Sequence, residues 1–333
     1  MSLHQYVRRI DGAVLDEELF ADRIVRFLYS QVRENASWLF RALTGARASS
    51  FLALLNFDLP FASRLLGNRR FLERCGVDLA ECADPIEHYT TPRRVFERRI
   101  RYWDCRPLPE EPRAILSPAD ARVVVGSLRP RDPFFLKGKF FAFEELVGSH
   151  KTAWLKAFDG GEAAVFRLTP DKYHYNHCPV SGQVVDFYEL SGAYHACNPS
   201  AIIALGTPHS KNRRVVTIID TDVPGGTGIG FVAMVEVVAL MIGDIAQAYS
   251  EARYEYPQAV GPGLFLRRGQ PKSLYRPGSS TDILLFQPDR VRFDLDLQAN
   301  QMRGDAASRF TLGFNTALTE TEVLVRSQLA LPR

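Results

Sequence analysis

The apolar residues of this chain change their period once, and that change limits what the chain can fold into. In the first hundred residues they recur at three- and four-residue steps, at Phe20, Ile24, Phe27, Leu28 and Val32 and again at Phe51, Leu52, Leu55, Leu65, Leu66 and Phe71. That spacing predicts amphipathic helices. From about Ala121 the apolar residues gather instead into short β-branched runs: Val123-Val124-Val125, Ala164-Val165-Phe166, Val184-Val185-Asp186-Phe187, Val215 to Ile219 and Val232 to Val238. Gly, Pro, Asn and Asp separate them, as turns separate strands. The order predicts an α+β protein, with N-terminal amphipathic helices packed on a mainly antiparallel β core. We divide it into a helical lead, residues 1–105, and a β-rich core, residues 106–333. At 333 residues, 46% of them hydrophobic, the chain can bury a sizeable core in one large domain or one domain with an appendage. The segment Val223-Pro224-Gly225-Gly226-Thr227-Gly228-Ile229-Gly230 reads as a connection between strands. Its glycines lack both the Lys-Ser/Thr ending of a phosphate loop and the Gly-x-Gly-x-x-Gly spacing before a helix.

Charge and cysteine content exclude several classes. Forty-one Lys and Arg against 38 Asp and Glu leave a formal charge of +3, too small to argue for nucleic acid. Five scattered cysteines, Cys75, Cys82, Cys105, Cys178 and Cys197, form no Cys-x-x-Cys pair; this fits a reducing cytoplasm better than a disulfide framework. The residues after Met1 lead into no apolar core of signal-peptide type. No run of eighteen apolar residues occurs that could span a membrane.

Three clusters could carry chemistry. Leu116-Ser117-Pro118-Ala119-Asp120-Ala121 sets an acid at the entrance to the first strand of the core, where Asp120 is either a turn cap or an oriented carboxylate. Pro170-Asp171-Lys172-Tyr173-His174-Tyr175-Asn176-His177-Cys178-Pro179 carries two of the seven histidines in what reads as a polar, aromatic loop. Imidazole near neutrality takes and returns a proton. The same histidines with Cys178, His195 and Cys197 could instead hold zinc, although their spacing matches no common structural site. The third cluster is Arg276-Pro277-Gly278-Ser279-Ser280-Thr281, followed by Asp282 and the apolar Ile283-Leu284-Leu285-Phe286. It is either a solvated turn before a strand or the seat of a serine that attacks its own upstream carbonyl. Asp, His and Ser together can form an activation relay whatever their order in the chain.

In one order, these stretches resemble the phosphatidylserine decarboxylase family. Ser117-Pro118-Ala119-Asp120 is similar to the family's Ser-Pro-Ala-Asp-Gly, and Asp171 to Pro179 to its Asp-Tyr-His-Arg-x-His-x-Pro. Leu136-Lys137-Gly138, Cys197-Asn198-Pro199, Asn212-Arg213-Arg214-Val215 and Met234-Val235-Glu236-Val237-Val238-Ala239 add to the likeness. Ser280-Thr281 with Phe286 is similar to its Ser-Thr-x-x-x-x-Phe, so the resemblance runs from about Phe96 to Leu297. It implies a self-cleaving proenzyme that makes a covalent pyruvoyl group from Ser280, with His177 as base, Asp120 orienting and charging it, and His174 lining the substrate site. The pyruvoyl ketone would form a Schiff base with the amine of phosphatidylserine, giving phosphatidylethanolamine and carbon dioxide.

The chain departs from the family pattern at several positions. Ser279 stands where the family usually has Gly, so aligning on Gly278 makes Ser279 the modified residue, while aligning on Phe286 makes it Ser280; we take Ser280, with the cut between Ser279 and Ser280. Ala121 replaces a Gly, Lys172 is inserted before the Tyr-His pair, Tyr175 stands where Arg is common, and Asp282 brings a charge to a position usually apolar. The implied partners are phosphatidylserine or another amine and, peripherally, a cytoplasmic membrane surface; a homodimer is compatible with the family. Trp38, Phe40, Phe51, Phe57 and Phe61, interleaved with Arg41, Arg47, Arg64, Arg69 and Arg70, could dock on lipid or simply form core. Three other readings remain: a pyruvoyl decarboxylase of a soluble amino acid, a non-cleaving binding or scaffold relative, and a metal-dependent hydrolase.

Overall fold

The computed structural model describes residues 3–17, 19, 72, 76–130, 132–239, 244–276 and 280–333. The helices expected between residues 20 and 71, and the aromatic and arginine series within them, lie outside the described residues. What is described of the early lead is strand: β1 (Gln5–Arg8) and β2 (Val14–Asp16) form a hairpin. Later in the lead come a single 3₁₀ turn, Ile86–His88, and two short helices, Pro92–Phe96 and Tyr102–Cys105.

The core strands are β3 (Ile115–Leu116), β4 (Ala121–Ser127), β5 (Glu162–Leu168), β6 (Tyr175–His177), β7 (Gly182–Leu190), β8 (Arg214–Asp220) and β9 (Phe231–Val238). They continue as β10 (Ile245–Gln247), β11 (Phe265–Leu266), β12 (Pro271–Tyr275), β13 (Ser280–Phe286), β14 (Val291–Phe293), β15 (Glu320–Val323) and β16 (Gln328–Pro332). One ten-stranded sheet has the order β11-β7-β8-β9-β13-β5-β4-β15-β1-β2, and two three-stranded sheets have the orders β10-β12-β6 and β14-β16-β3. Every pairing in the large sheet is antiparallel except β1 with β15. The β-branched runs beginning at Ala121 are therefore strands, as their pattern predicts, and residues 223–230 connect β8 to β9.

Both faces of the large sheet are covered. One buries Val123, Phe166, Leu168, Met234, Val238 and Leu284 in a cluster with Ile245, Tyr275, Val291 and Leu329 from the two small sheets. The other buries Val124, Val165, Val216, Val235, Ile283 and Leu285 with Phe143, Leu146, Phe158, Ile202 and Phe310 from helices. Sandwiching explains why Ile283-Leu284-Leu285-Phe286 is apolar at every position and wholly buried, without the in-out alternation of a sheet that faces water.

Candidate active site

β13 lies between β9 and β5, and Ser280 is its first residue, paired across the ladder with Val238 and Leu168. It is fully buried, and its hydroxyl has no hydrogen-bond partner. Leaving such a group unpaired costs on the order of 1–3 kcal/mol, a cost that the buried hydroxyls of Thr281 and Thr217 share. Thr281 is buried too, so this end of the Gly-Ser-Ser-Thr stretch is strand rather than solvated turn. Ser279 lies outside the described residues.

His174, Asn176 and His177 are likewise buried, with Tyr175 half-buried, and Tyr175–His177 is strand rather than loop, pairing with β12 as β6. His177 is held at three points. Its N–H donates to the Pro118 carbonyl at 2.7 Å, which ties it to the turn that carries Asp120. Its Nδ1 lies 2.9 Å from the Gly269 carbonyl, and its Nε2 lies 3.0 Å from the Tyr173 hydroxyl. A carbonyl can only accept, so Nδ1 carries the ring proton and Nε2 accepts from Tyr173. Tyr173 is 2.8 Å from the Tyr254 hydroxyl, extending the chain of hydroxyls. Gly269 presents its carbonyl from a turn with φ near +77°, and a β-carbon there would meet Leu108 Cδ2 at 2.7 Å. Burial pushes the His177 imidazole down to about 3; the Gly269 carbonyl and the Asp120 carboxylate oppose the shift, while Arg326 and Arg106 add to it. At neutral pH His177 is therefore an uncharged base.

Asp120 closes the turn before β4 but makes no hydrogen bond to His177. Arg106 donates to its Oδ1 at 3.3 Å and its Oδ2 at 3.0 Å, and the Val325 N–H donates to Oδ1 at 2.7 Å. Gly269, rather than Asp120, thus fixes the His177 tautomer, and the carboxylate acts on the imidazole through space. Arg106, itself paired with Glu81, is a member of the site that the sequence did not signal. Tyr173 and Gly269 were missed as well, though Tyr173 sits beside His174 in the Pro170 to Pro179 stretch.

His174 stacks on Phe96, with ring centroids 3.5 Å apart, and neither ring nitrogen has a hydrogen-bond partner. Burial holds it neutral, with its pKa pushed down to about 3. No three of His174, His177, Cys178, His195 and Cys197 bring their ligand atoms together. Among the described residues, the group of ligand side chains that converges is His4, Glu17 and Glu320. Arg167 pairs with both of those carboxylates and Arg122 with Glu17, so their charge is already neutralised. A cleft of about 80 Å³ bordered by Arg129, Glu162, Arg292 and Arg333 lies at the opposite end of β5 from Leu168, roughly 20 Å from Ser280 along the strand, and is not this site.

On the face of the sheet that carries Ser280, β9 and β13 bring two acids opposite one another, Glu236 and Asp282. Glu236 accepts from Lys272 Nζ at 2.7 Å, Gln247 at 3.0 Å, Asn176 at 3.2 Å and the Ser273 hydroxyl. The Lys272 ammonium and these donors hold Glu236 ionised despite its burial. Asp282 has no cation of its own and is shifted strongly upward, by burial first and by Glu236 second.

The class that fold and site define is a mainly antiparallel sheet protein whose interior holds an unpartnered serine at the start of a central strand, two neutral histidines and a carboxylate fixed by an arginine. The phosphatidylserine decarboxylase family model matches residues 93–310, and the chain belongs to that family of decarboxylases. It is 26% identical over 297 residues to the phosphatidylserine decarboxylase proenzyme of Fusobacterium nucleatum subsp. nucleatum, covering 89% of this chain and 91% of the relative. It is 28% identical over 313 residues to that of Chlamydia trachomatis serovar D, covering 90% and 92%. It is also 28% identical over 303 residues to phosphatidylserine decarboxylase proenzyme 3 of Schizosaccharomyces pombe, covering 88% of this chain and 28% of that longer protein.

Proposed function

We propose that this chain is a phosphatidylserine decarboxylase that cuts itself between Ser279 and Ser280 and keeps the pyruvoyl group so formed. The observation that carries the reading is Ser280, a buried strand-opening serine with a free hydroxyl in a member of this family. The Ser280 oxygen attacks the Ser279 carbonyl and the chain shifts from amide to ester. Loss of the residue 280 Cα proton with the bond from Cβ to oxygen releases Ser279 as a carboxylate and leaves a dehydroalanine, which takes a proton on Cβ to become an imine; water then displaces ammonia to leave a ketone at residue 280. His177 takes the serine proton on Nε2 once Tyr173 yields that position, and Asp120 stabilises the imidazolium through space. The pyruvoyl ketone supplies an electron sink for the bond that breaks when carbon dioxide leaves. His174, with both ring nitrogens unpartnered, lines the substrate side, and His177 returns the proton.

Phosphatidylserine lies in a membrane, so the enzyme works at that surface as a peripheral protein. Among the described residues no helix is long and apolar enough to cross a membrane. The Trp, Phe and Arg series from Trp38 to Arg70 supplies the docking surface in this proposal. The test compares carbon dioxide release from vesicles containing phosphatidylserine with release from free serine, phosphoserine and aromatic amino acids, without pyridoxal phosphate. Turnover of the vesicle lipid, abolished by hydroxylamine or by borohydride with substrate and untouched by chelators, is expected. Turnover of a soluble amine alone would replace the lipid reading with the soluble one, and chelator-sensitive activity indifferent to carbonyl reagents would overturn the pyruvoyl reading.

A further inference from the structure

Tyr275 places its hydroxyl inside the ladder that holds the cut site. The Val237 N–H donates to Tyr275 Oη at 3.2 Å, and Tyr275 Oη lies 2.9 Å from the Thr281 carbonyl. Val237 and Thr281 face each other across β9 and β13, so one hydroxyl bridges two main-chain groups immediately after Ser280. The same oxygen lies 2.7 Å from Asp282 Oδ1. A phenol has one proton and two lone pairs. Were Asp282 ionised, two acceptors would compete for that single proton, and the charged one would win because charge-assisted hydrogen bonds are roughly twice as strong. With the proton on Asp282 Oδ1, all three contacts at the phenol are served, leaving Oδ2 as an unpartnered neutral carbonyl oxygen: Asp282 donates to Tyr275, Val237 donates to Tyr275, and Tyr275 donates to Thr281.

We propose that Asp282, kept as a neutral acid, is a positioning residue for the self-cleavage at Ser280, acting through Tyr275 to hold the Thr281 carbonyl. The inference rests on Ser280 being the cut site. Ser280 and Asp282 are two residues apart on one strand and share a face, so their β-carbons are about 7 Å apart. The groups facing Asp282 that can carry charge are Glu236 from β9 and Lys272 and Tyr275 from β12, and its partner on β5 is Phe166. Lys272 is committed to Glu236 at 2.7 Å, which leaves Asp282 without a cation. Ionising Asp282 turns the Tyr275 proton away from Thr281 and frees the Thr281 carbonyl, which belongs to the second peptide after the cut. Cleavage that needs the main chain held at Ser280 then slows. A carboxylic acid kept neutral so that it can donate is a known device of enzyme sites.

The experiment follows cleavage of freshly refolded full-length proenzyme by intact mass from pH 6 to pH 10, with thermal melts confirming that each variant folds. The wild type should cut, and its rate should fall at the alkaline end. Asp282→Ala and Tyr275→Phe should cut roughly tenfold more slowly at neutral pH, the effect of one lost buried hydrogen bond. Asp282→Asn, which also donates to Tyr275, should restore the rate lost in Asp282→Ala and lose the alkaline decline. If Asp282→Asn is as slow as Asp282→Ala, or keeps the wild-type alkaline decline, the inference is overturned while Ser280 stands. A wild type that never cuts overturns the cut-site reading and the inference with it.

Discussion

Three of the buried histidines are pushed down to about 3, chiefly by burial: His174, His177 and His209. Unfolded, they titrate near 6.5. Between these values the unfolded chain binds more protons than the folded one, so the stability they contribute is complete above pH 6.5 and is lost as pH falls toward 3. The melting temperature should drop steadily from pH 7 to pH 4, and His209→Gln should flatten the drop without touching the proposed chemistry. An unchanged slope in that variant would mean that His209 is not neutral in the fold. Asp282 works in the opposite direction. Raised in the fold, it costs stability as pH climbs above about 4, the range where only the unfolded chain ionises. At this scale the sequence singled out Ser280, His174, His177 and Asp120 as candidates by kind and spacing, and the structure buries all four. Arg106, Gly269 and Tyr275 were not singled out, because their roles come from geometry that long-range pairing creates.

Among elements, the N-terminal hairpin is the instructive one. β1 and β2 extend the main sheet through β15, and buried charges help fasten them. Arg167 of β5 donates to Glu17 at 2.6 and 2.8 Å and to Glu320 Oε1 at 3.0 Å, and His4 Nε2 lies 3.0 Å from Glu320. Replacing Arg167 by Leu leaves two acids buried without their main cation and should destabilise the protein by about 3–5 kcal/mol, read as a lower denaturant midpoint. A change under about 1 kcal/mol would show that Arg122 and His4 suffice to hold them. The helical lead expected for residues 1–105 missed this hairpin because two strands of four and three residues are too short to impose an alternation. The helix Pro199–Leu205 inside the β-rich half was legible in principle. Asn198 caps it by accepting from the Ser200 N–H at 2.9 Å, and Pro199 opens it.

At the scale of the whole molecule, the sequence carried the architecture of the core better than that of the lead. The strands β4, β5, β8, β9 and β13 bury both faces, and their apolar runs are long enough to be read directly. The order of the strands was not written in those runs, since it depends on which faces meet. One consequence of that order matters for function: β13 is central, enclosed by β9 and β5, and its first residue is the buried Ser280. A cut there leaves both fragments held by the same sheet, so the processed protein should remain one folded body. The central claim is that Ser280 becomes the pyruvoyl group, and intact mass spectrometry under denaturing conditions tests it directly. The account predicts two chains, one ending at Ser279 and one of 54 residues spanning positions 280–333 with a pyruvoyl start, and a single uncut chain in Ser280→Ala. A single full-length chain in an active preparation, or a Ser280→Ala protein that still cuts one residue earlier, would contradict it.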